Sequence, residues 1–167
     1  SLGSGRSVFV KTNAPRLGEM FVAEARGLGW LAEARALRVP EVLAVGGGDD
    51  GAPAYLALEY LRSGRRRAGF DEELGAGLAA LHRCGAPSFG LDHDNFIGRL
   101  PQPNAPAATW PDFYRDRRLG AQLRLAENEG LASSRMRRGL DRLFARLEDL
   151  VGPAEPPARL PGDLWGG

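Results

Sequence analysis

Lys11 is the only lysine among the 22 lysine and arginine residues of this 167-residue chain. A bias toward arginine this strong is typical of a GC-rich coding background, in which a tolerant surface lysine drifts to arginine. A lysine ammonium is a compact charge that can bridge a carboxylate and phosphate groups, where a wider guanidinium fits poorly. The survival of one lysine therefore favours a function that requires an ammonium.

Glu24 is a carboxylate within the apolar stripe of a predicted helix. It follows Met20 by four residues and precedes Leu28 by four, so the three side chains share one helix face. A carboxylate buried alone costs several kcal/mol, so Glu24 must reach solvent or meet a cation, and Lys11 is one candidate. Two interpretations stay open: a functional Lys11–Glu24 pair, or an exposed strand lysine and a helix-surface glutamate.

Asp163 is the third residue that could carry chemistry, and it lies in the stretch GDLW at residues 162–165. A Gly-Asp pair that follows helices resembles a catalytic loop whose aspartate accepts the proton of an attacking hydroxyl. The alternative is an ordinary turn aspartate after Gly162.

The elements that must position these residues follow from the hydrophobic periodicity and the turn residues. In chain order they are a strand at 6–13, a helix at 18–36, strands at 41–47 and 54–61, and helices at 71–83, 109–128 and 133–152. The strands at 41–47 and 54–61 are predicted to form a hairpin. Gly85 is predicted to end the helix at 71–83. Residues 85–108 are predicted to form a long loop, and loops of this length often carry function. Because most of the strands precede most of the helices along the chain, the sequence predicts an α+β fold.

Composition excludes several function classes. The formal net charge of +1 gives no overall field for nucleic acid or membrane, and Arg65, Arg66 and Arg67 are interpreted as a solvated loop. Cys84 is the only cysteine, which fits a reducing compartment, and no run approaches the roughly 18 apolar residues needed to span a bilayer. We expect a cytoplasmic protein. His82, Cys84 and His93 lack the paired spacing typical of metal ligands.

Eight segments together resemble the fructosamine (ketosamine) kinases, a branch of small-molecule kinases with the aminoglycoside-phosphotransferase-like, protein-kinase-like fold. They are VFVKTN, MFVAEARGLGWL, RVPEVLAVG, YLALEYL, LAALHR, FGLDHDNFIGRLPQPN, WPDFYRDRRLGAQLRLA and GDLWGG. The resemblance implies an N-lobe at residues 1–62 and a partial helical C-lobe at 63–167. It also implies ATP-dependent phosphorylation of a sugar hydroxyl on a ketosamine, as a deglycation repair step.

The resemblance also implies roles for single residues. Lys11 would contact the ATP phosphates, and Glu24 would orient Lys11. The backbone of Glu59, Tyr60 and Leu61 would contact adenine. Asp163 would be the catalytic base, and Trp165 would provide a surface beside the sugar. The implied cofactors are ATP and Mg²⁺, and the implied partner is a small ketosamine or a glycated amine or protein, without nucleic acid or membrane.

Three departures from the family pattern are visible. The glycine-rich phosphate loop and its strand should precede Ser1, the metal ligands should follow Gly167, and Pro161 replaces the histidine of the family's His-Gly-Asp. We therefore expect the chain to be truncated at both ends and inactive by itself. Two alternatives stay open: a kinase for another small hydroxylated amine such as an aminoglycoside, and a non-catalytic pseudokinase or binding module.

Overall fold

The computed structural model describes residues 7–48 and 51–162. The chain divides into two compact units: unit 1 comprises Ser1–Gly85 and Ala158–Gly167, and unit 2 comprises Ala86–Pro157. The two lobes implied by the family resemblance have different bounds, 1–62 and 63–167, and stay a prediction.

Unit 1 is built on a three-stranded antiparallel sheet in the order β1-β3-β2. Its strands are β1 (Val8–Asn13), β2 (Val42–Gly46) and β3 (Ala54–Glu59). The predicted hairpin between β2 and β3 is confirmed by their antiparallel pairing, with an irregularity in register between Val42 and Ala44. All three predicted strands are present, each shorter than its predicted range.

The core of unit 1 forms where helix α1 (Gly18–Glu33) packs on this sheet. Alternate residues of β3 are buried, namely Ala54, Leu56 and Leu58, and Phe21 of α1 packs against them. Alternate burial along β3 follows from the two-residue period of a strand, which turns one set of side chains toward the helix. The sheet and helix thus share one apolar layer.

Helix α1 ends at Glu33, three residues before the predicted end at Ala36. Arg35 has a φ of 51°, a left-handed conformation that cannot continue a right-handed helix. The apolar spacing of the sequence contains no signal for this stop, because arginine is a good helix former.

Helix α2 (Phe70–Arg83) completes unit 1 and agrees closely with its prediction. Gly85 follows it with a φ of 69°, which confirms its predicted part in ending the helix. In the loop before the helix, Arg66 pairs with Asp71 and Arg67 with Glu73 of the first turn.

Unit 2 begins with the segment that the sequence predicted to be a loop, and that prediction is wrong in part. Strands β4 (Asn95–Ile97) and β5 (Leu100–Gln102) form a short antiparallel pair, and Phe89 bridges Ala107. Gly90 has a φ of 138°, and a Cβ there would lie 2.5 Å from the carbonyl oxygen of Asn104, so only glycine allows this close approach. Three-residue strands are too short for alternation to reveal them.

Asn104 is the centre of a buried polar network in unit 2 and is only 2% exposed. Its Nδ2 donates to the His93 carbonyl at 3.0 Å and to Asn95 Oδ1 at 2.9 Å, and its Oδ1 accepts from Arg118 Nη2 at 2.6 Å. Its backbone N–H donates to Asp94 Oδ1 at 2.7 Å. Burial lowers the pKa of the Arg118 guanidinium, and acceptors on Asn104 and on the Pro103 carbonyl compensate that desolvation.

Two helices of unit 2 begin with side-chain caps, at the predicted starts at residues 109 and 133. Thr109 Oγ1 accepts from Asp112 N at 3.2 Å, and Ser133 Oγ accepts from Met136 N at 3.1 Å. The first predicted helix is resolved into α3 (Trp110–Phe113), a π-helical segment (Tyr114–Leu119) and α4 (Gly120–Asn128).

The second predicted helix of unit 2 is two helices. These are α5 (Ser134–Phe144) and α6 (Leu147–Leu150), separated by Ala145 and Arg146. The break places Leu147 in the core at 5% exposure, while Met136 and Leu150 remain 46% and 54% exposed. The prediction of one continuous helix at residues 133–152 is therefore wrong in part.

We expect Asn104→Asp to lower the free energy of unfolding by about 1–3 kcal/mol. The new carboxylate keeps the acceptor for Arg118, but it loses both N–H donors and faces the oxygens of His93 and Asn95. Urea unfolding measures the change, with Asn128→Asp at the exposed end of α4 as the matched control. Equal effects of the two variants would contradict the importance of the network.

Candidate active site

Lys11 lies on the helix-facing side of the sheet. It stands opposite Leu56 of β3, and directly opposed residues of an antiparallel pair point to the same face. Leu56 is fully buried against α1, so Lys11 also extends toward that helix. Lys11 is therefore on the face of the sheet that packs against α1, not on the opposite face.

The carboxylate of Glu24 in α1 binds the ammonium of Lys11. Lys11 Nζ lies 2.8 Å from Oε1 and 2.8 Å from Oε2, so the predicted contact between the two side chains is confirmed. An ammonium has three N–H donors and the carboxylate binds it through two oxygens, which leaves donor capacity for a further anion. The side chains are 40% and 35% exposed, so the pair borders the core but remains open to solvent.

The end of β3 contains the residues predicted to contact adenine. Glu59 is held by its neighbours: its N–H donates to the Glu41 carbonyl at 2.8 Å, and its carboxylate accepts from Arg38 Nη2 at 2.5 Å. Tyr60 follows the last residue of the strand and is 47% exposed. Contact of adenine with the backbone of Glu59, Tyr60 and Leu61 stays a prediction.

Arg38 was missed by sequence reasoning. It precedes the predicted second strand, 21 residues before its partner Glu59, and nothing in the spacing connects them. The pair gives the carboxylate of Glu59 a partner within unit 1, although the Arg38 side chain is 72% exposed.

Asp163 and Trp165 lie outside the described residues, so their predicted roles stay predictions. The structure follows the segment that leads to them as far as Gly162. Pro161, at the position for which the resemblance predicts a histidine, has no backbone N–H to donate.

Arg159, in the same segment, is a second residue that sequence reasoning missed. Its guanidinium donates to the carbonyl of Trp30, to Glu33 Oε2 at 3.2 Å and to the Gly85 carbonyl at 3.3 Å. It also lies over the Trp30 ring, 4.8 Å from the ring centroid. These contacts join the segment to the end of α1.

Comparisons with known proteins identify the family. A family model described as fructosamine kinase matches residues 2–167. The chain belongs to the fructosamine kinase family. The resemblance seen in the sequence is therefore confirmed.

Curated relatives and a solved structure extend this result. The chain is 38% identical over 161 residues to a probable ketoamine kinase of Synechocystis, covering 95% of this chain and 52% of the relative. It is 37% identical over 166 residues to the chloroplastic protein-ribulosamine 3-kinase of Arabidopsis thaliana, covering 96% and 49%. The crystal structure of a candidate fructosamine-3-kinase from Thermobifida fusca superposes with a TM-score of 0.82 at 39% identity, covering 99% of this chain and 56% of that one.

The match to the solved structure confirms the predicted α+β, protein-kinase-like fold. The chain spans about half the length of the curated relatives it matches. Of the helices in residues 7–48 and 51–162, none is both long and apolar enough to cross a membrane.

Because the Lys11–Glu24 pair is partly exposed, we expect it to contribute little to stability. Glu24→Gln and Lys11→Met should each change the free energy of unfolding by less than about 1 kcal/mol. Leu56→Ala, which removes a fully buried side chain beside the pair, should cost about 2–5 kcal/mol and serves as the reference in urea unfolding. A cost for Glu24→Gln as large as that for Leu56→Ala would show that the pair is mainly structural.

Proposed function

We propose that this protein is an ATP-dependent kinase that phosphorylates a sugar hydroxyl of ketosamines, the products of amine glycation by glucose or ribose. The observation that supports the proposal most directly is the bidentate contact of Lys11 with Glu24 on the helix-facing side of the sheet, in a chain of the fructosamine kinase family. The names of the relatives, ketoamine kinase and protein-ribulosamine 3-kinase, support the substrate class.

Lys11 would bind the phosphates of ATP, and Glu24 would hold the ammonium in place. Phosphoryl transfer depends on positioning and on electrostatic stabilisation, so a fixed cation at the phosphates is worth more than a mobile one. Glu24 limits the positions that Nζ can occupy, because both carboxylate oxygens lie at 2.8 Å.

The adenine would lie against the backbone that follows β3. The family resemblance implies that main-chain groups of residues 59–61 make this contact. The N–H of Glu59 already donates to the Glu41 carbonyl, which leaves the other main-chain groups of the segment for adenine. Peptide N–H and C=O groups match the donor and acceptor edge of adenine without needing a particular side chain.

Asp163 would accept the proton of the attacking sugar hydroxyl, a contribution that is typically about 10²–10⁴-fold in rate. Trp165 would provide an apolar surface beside the sugar. Both assignments rest on the family pattern.

Mg²⁺ prefers several oxygen ligands, including carboxylates. Within residues 7–48 and 51–162, no three His, Cys, Asp or Glu side chains lie close enough together to hold a metal ion. The Mg²⁺ ligands that the family resemblance implies after Gly167 stay a prediction.

The proposed partners are a small ketosamine or a glycated amine or protein. A cytoplasmic location belongs to the same proposal and rests on the single cysteine of the chain.

We expect Lys11→Arg, in the protein as its complete gene encodes it, to reduce kcat/KM on the order of 10²-fold although the charge is kept. The longer planar head cannot occupy the position that Glu24 gives to Nζ, so it would misplace the phosphates. A coupled ADP-release assay measures the change, with Thr12→Ser, the next and exposed residue of β1, as the control. Unchanged kcat/KM would remove Lys11 from the proposed site.

The same complete protein should phosphorylate a small fructosamine or ribulosamine and leave free amino acids and unmodified protein unchanged. The test is ADP release with Mg-ATP, followed by mass measurement of the product. Equal turnover of an aminoglycoside would favour the broader amine kinase. ATP binding without turnover of any of these compounds would favour a pseudokinase, for which Pro161 supplies a reason.

A further inference from the structure

Arg159 is a largely buried arginine whose side chain is only 18% exposed. Burial of a guanidinium is costly unless its donors find acceptors. Three acceptors on two separate stretches of unit 1 surround it: the Trp30 carbonyl, the Glu33 carboxylate and the Gly85 carbonyl. A planar guanidinium can reach several acceptors and stack on an aromatic ring at once, whereas a lysine ammonium cannot.

The acceptors of Arg159 lie at the ends of helices. The last four carbonyls of a helix have no partner within it, and the helix dipole makes this end attractive to a cation. At the end of α1, the carbonyls of Leu31 and Ala32 accept from the backbone of residues 34 and 35, and the Trp30 carbonyl accepts from Arg159. Gly85 lies two residues after the end of α2. One side chain therefore links residues 158–162 to the ends of both helices.

Helix α1 is also the helix that carries Glu24, less than two turns before Trp30. Residues 158–162 lead directly into Asp163. Pro161 supplies neither a backbone N–H nor a polar side chain, so its backbone carbonyl is the one hydrogen-bonding group it has. In the described part of this segment, Arg159 is the residue whose side chain makes such hydrogen bonds.

We propose that Arg159 is a positioning residue. It holds residues 158–162, which precede Asp163, in a fixed position relative to α1, the helix whose Glu24 orients Lys11. This inference rests on the proposed kinase function. Loss of the Arg159 contacts should loosen the catalytic segment without changing the residues that bind ATP. The expected result is a lower kcat with an unchanged KM for ATP, since the missing interaction acts on chemistry rather than on nucleotide binding.

The test uses Arg159→Met and Arg159→Lys in the protein as its complete gene encodes it. Arg83→Met is the matched control, because Arg83 is an exposed arginine in the last turn of α2, two residues before Gly85. Arg159→Met should lower kcat for a ribulosamine between about tenfold and 10²-fold, with KM for ATP changed by less than about twofold. Arg159→Lys should recover part of kcat, and Arg83→Met should match the parent.

A second measurement does not depend on activity. Hydrogen exchange read by mass spectrometry should become faster in peptides from the last turn of α1 and from residues 158–162 in Arg159→Met, and not in Arg83→Met. If the parent protein phosphorylates no ketosamine, the proposed function fails, while the exchange data still decide whether Arg159 anchors the segment.

Three results would overturn the positioning role. The first is faster exchange with unchanged kcat, which would make the contact purely structural. The second is an equal loss of kcat in Arg83→Met. The third is a rise in KM for ATP with unchanged kcat. If Arg159→Met fails to fold, Arg159→Lys is tested in the same way, and the expected result is again a lower kcat with an unchanged KM for ATP.

Discussion

The register between β1 and β3 is the constraint on which the candidate site depends. Because successive strand residues point to opposite faces, a slip by one residue would move Lys11 to the side of the sheet away from Glu24. The register is set by burial: Leu56, opposite Lys11, is packed against Phe21 of α1. The apolar core therefore holds the ion pair in place, while both of its side chains remain partly exposed.

Much of this arrangement could be predicted from the sequence because it is local. Alternation in YLALEYL and the stripe around Glu24 are short-range patterns, and each follows from the period of its element. The helix starts predicted at residues 109 and 133 are equally local, because the side-chain oxygens of Thr109 and Ser133 each accept from an amide three residues ahead. The Lys11–Glu24 contact spans only 13 residues, from a strand into the helix that immediately follows it.

The features that could not be predicted are contacts between distant or irregular segments. Arg159 and Trp30 are 129 residues apart, and no periodicity relates them. The network around Asn104 depends on a close backbone approach at Gly90 and on the π-helical turn that presents Arg118, and neither has a reliable sequence signal. The break between α5 and α6 is similar, because the leucine spacing of the sequence continues through it although Ala145 and Arg146 separate the two helices.

The scarcity of lysine has a chemical consequence beyond charge. Reducing sugars condense with primary amines, and this chain has one side-chain ε-amine, on Lys11, which remains 40% exposed. Its many arginines carry guanidinium groups, which are poor nucleophiles for that reaction. If a reducing sugar glycated a lysine of this chain, the modified residue would therefore be Lys11, the partner of Glu24. It would replace a compact ammonium by a bulky adduct at the candidate site while every other basic side chain stayed intact.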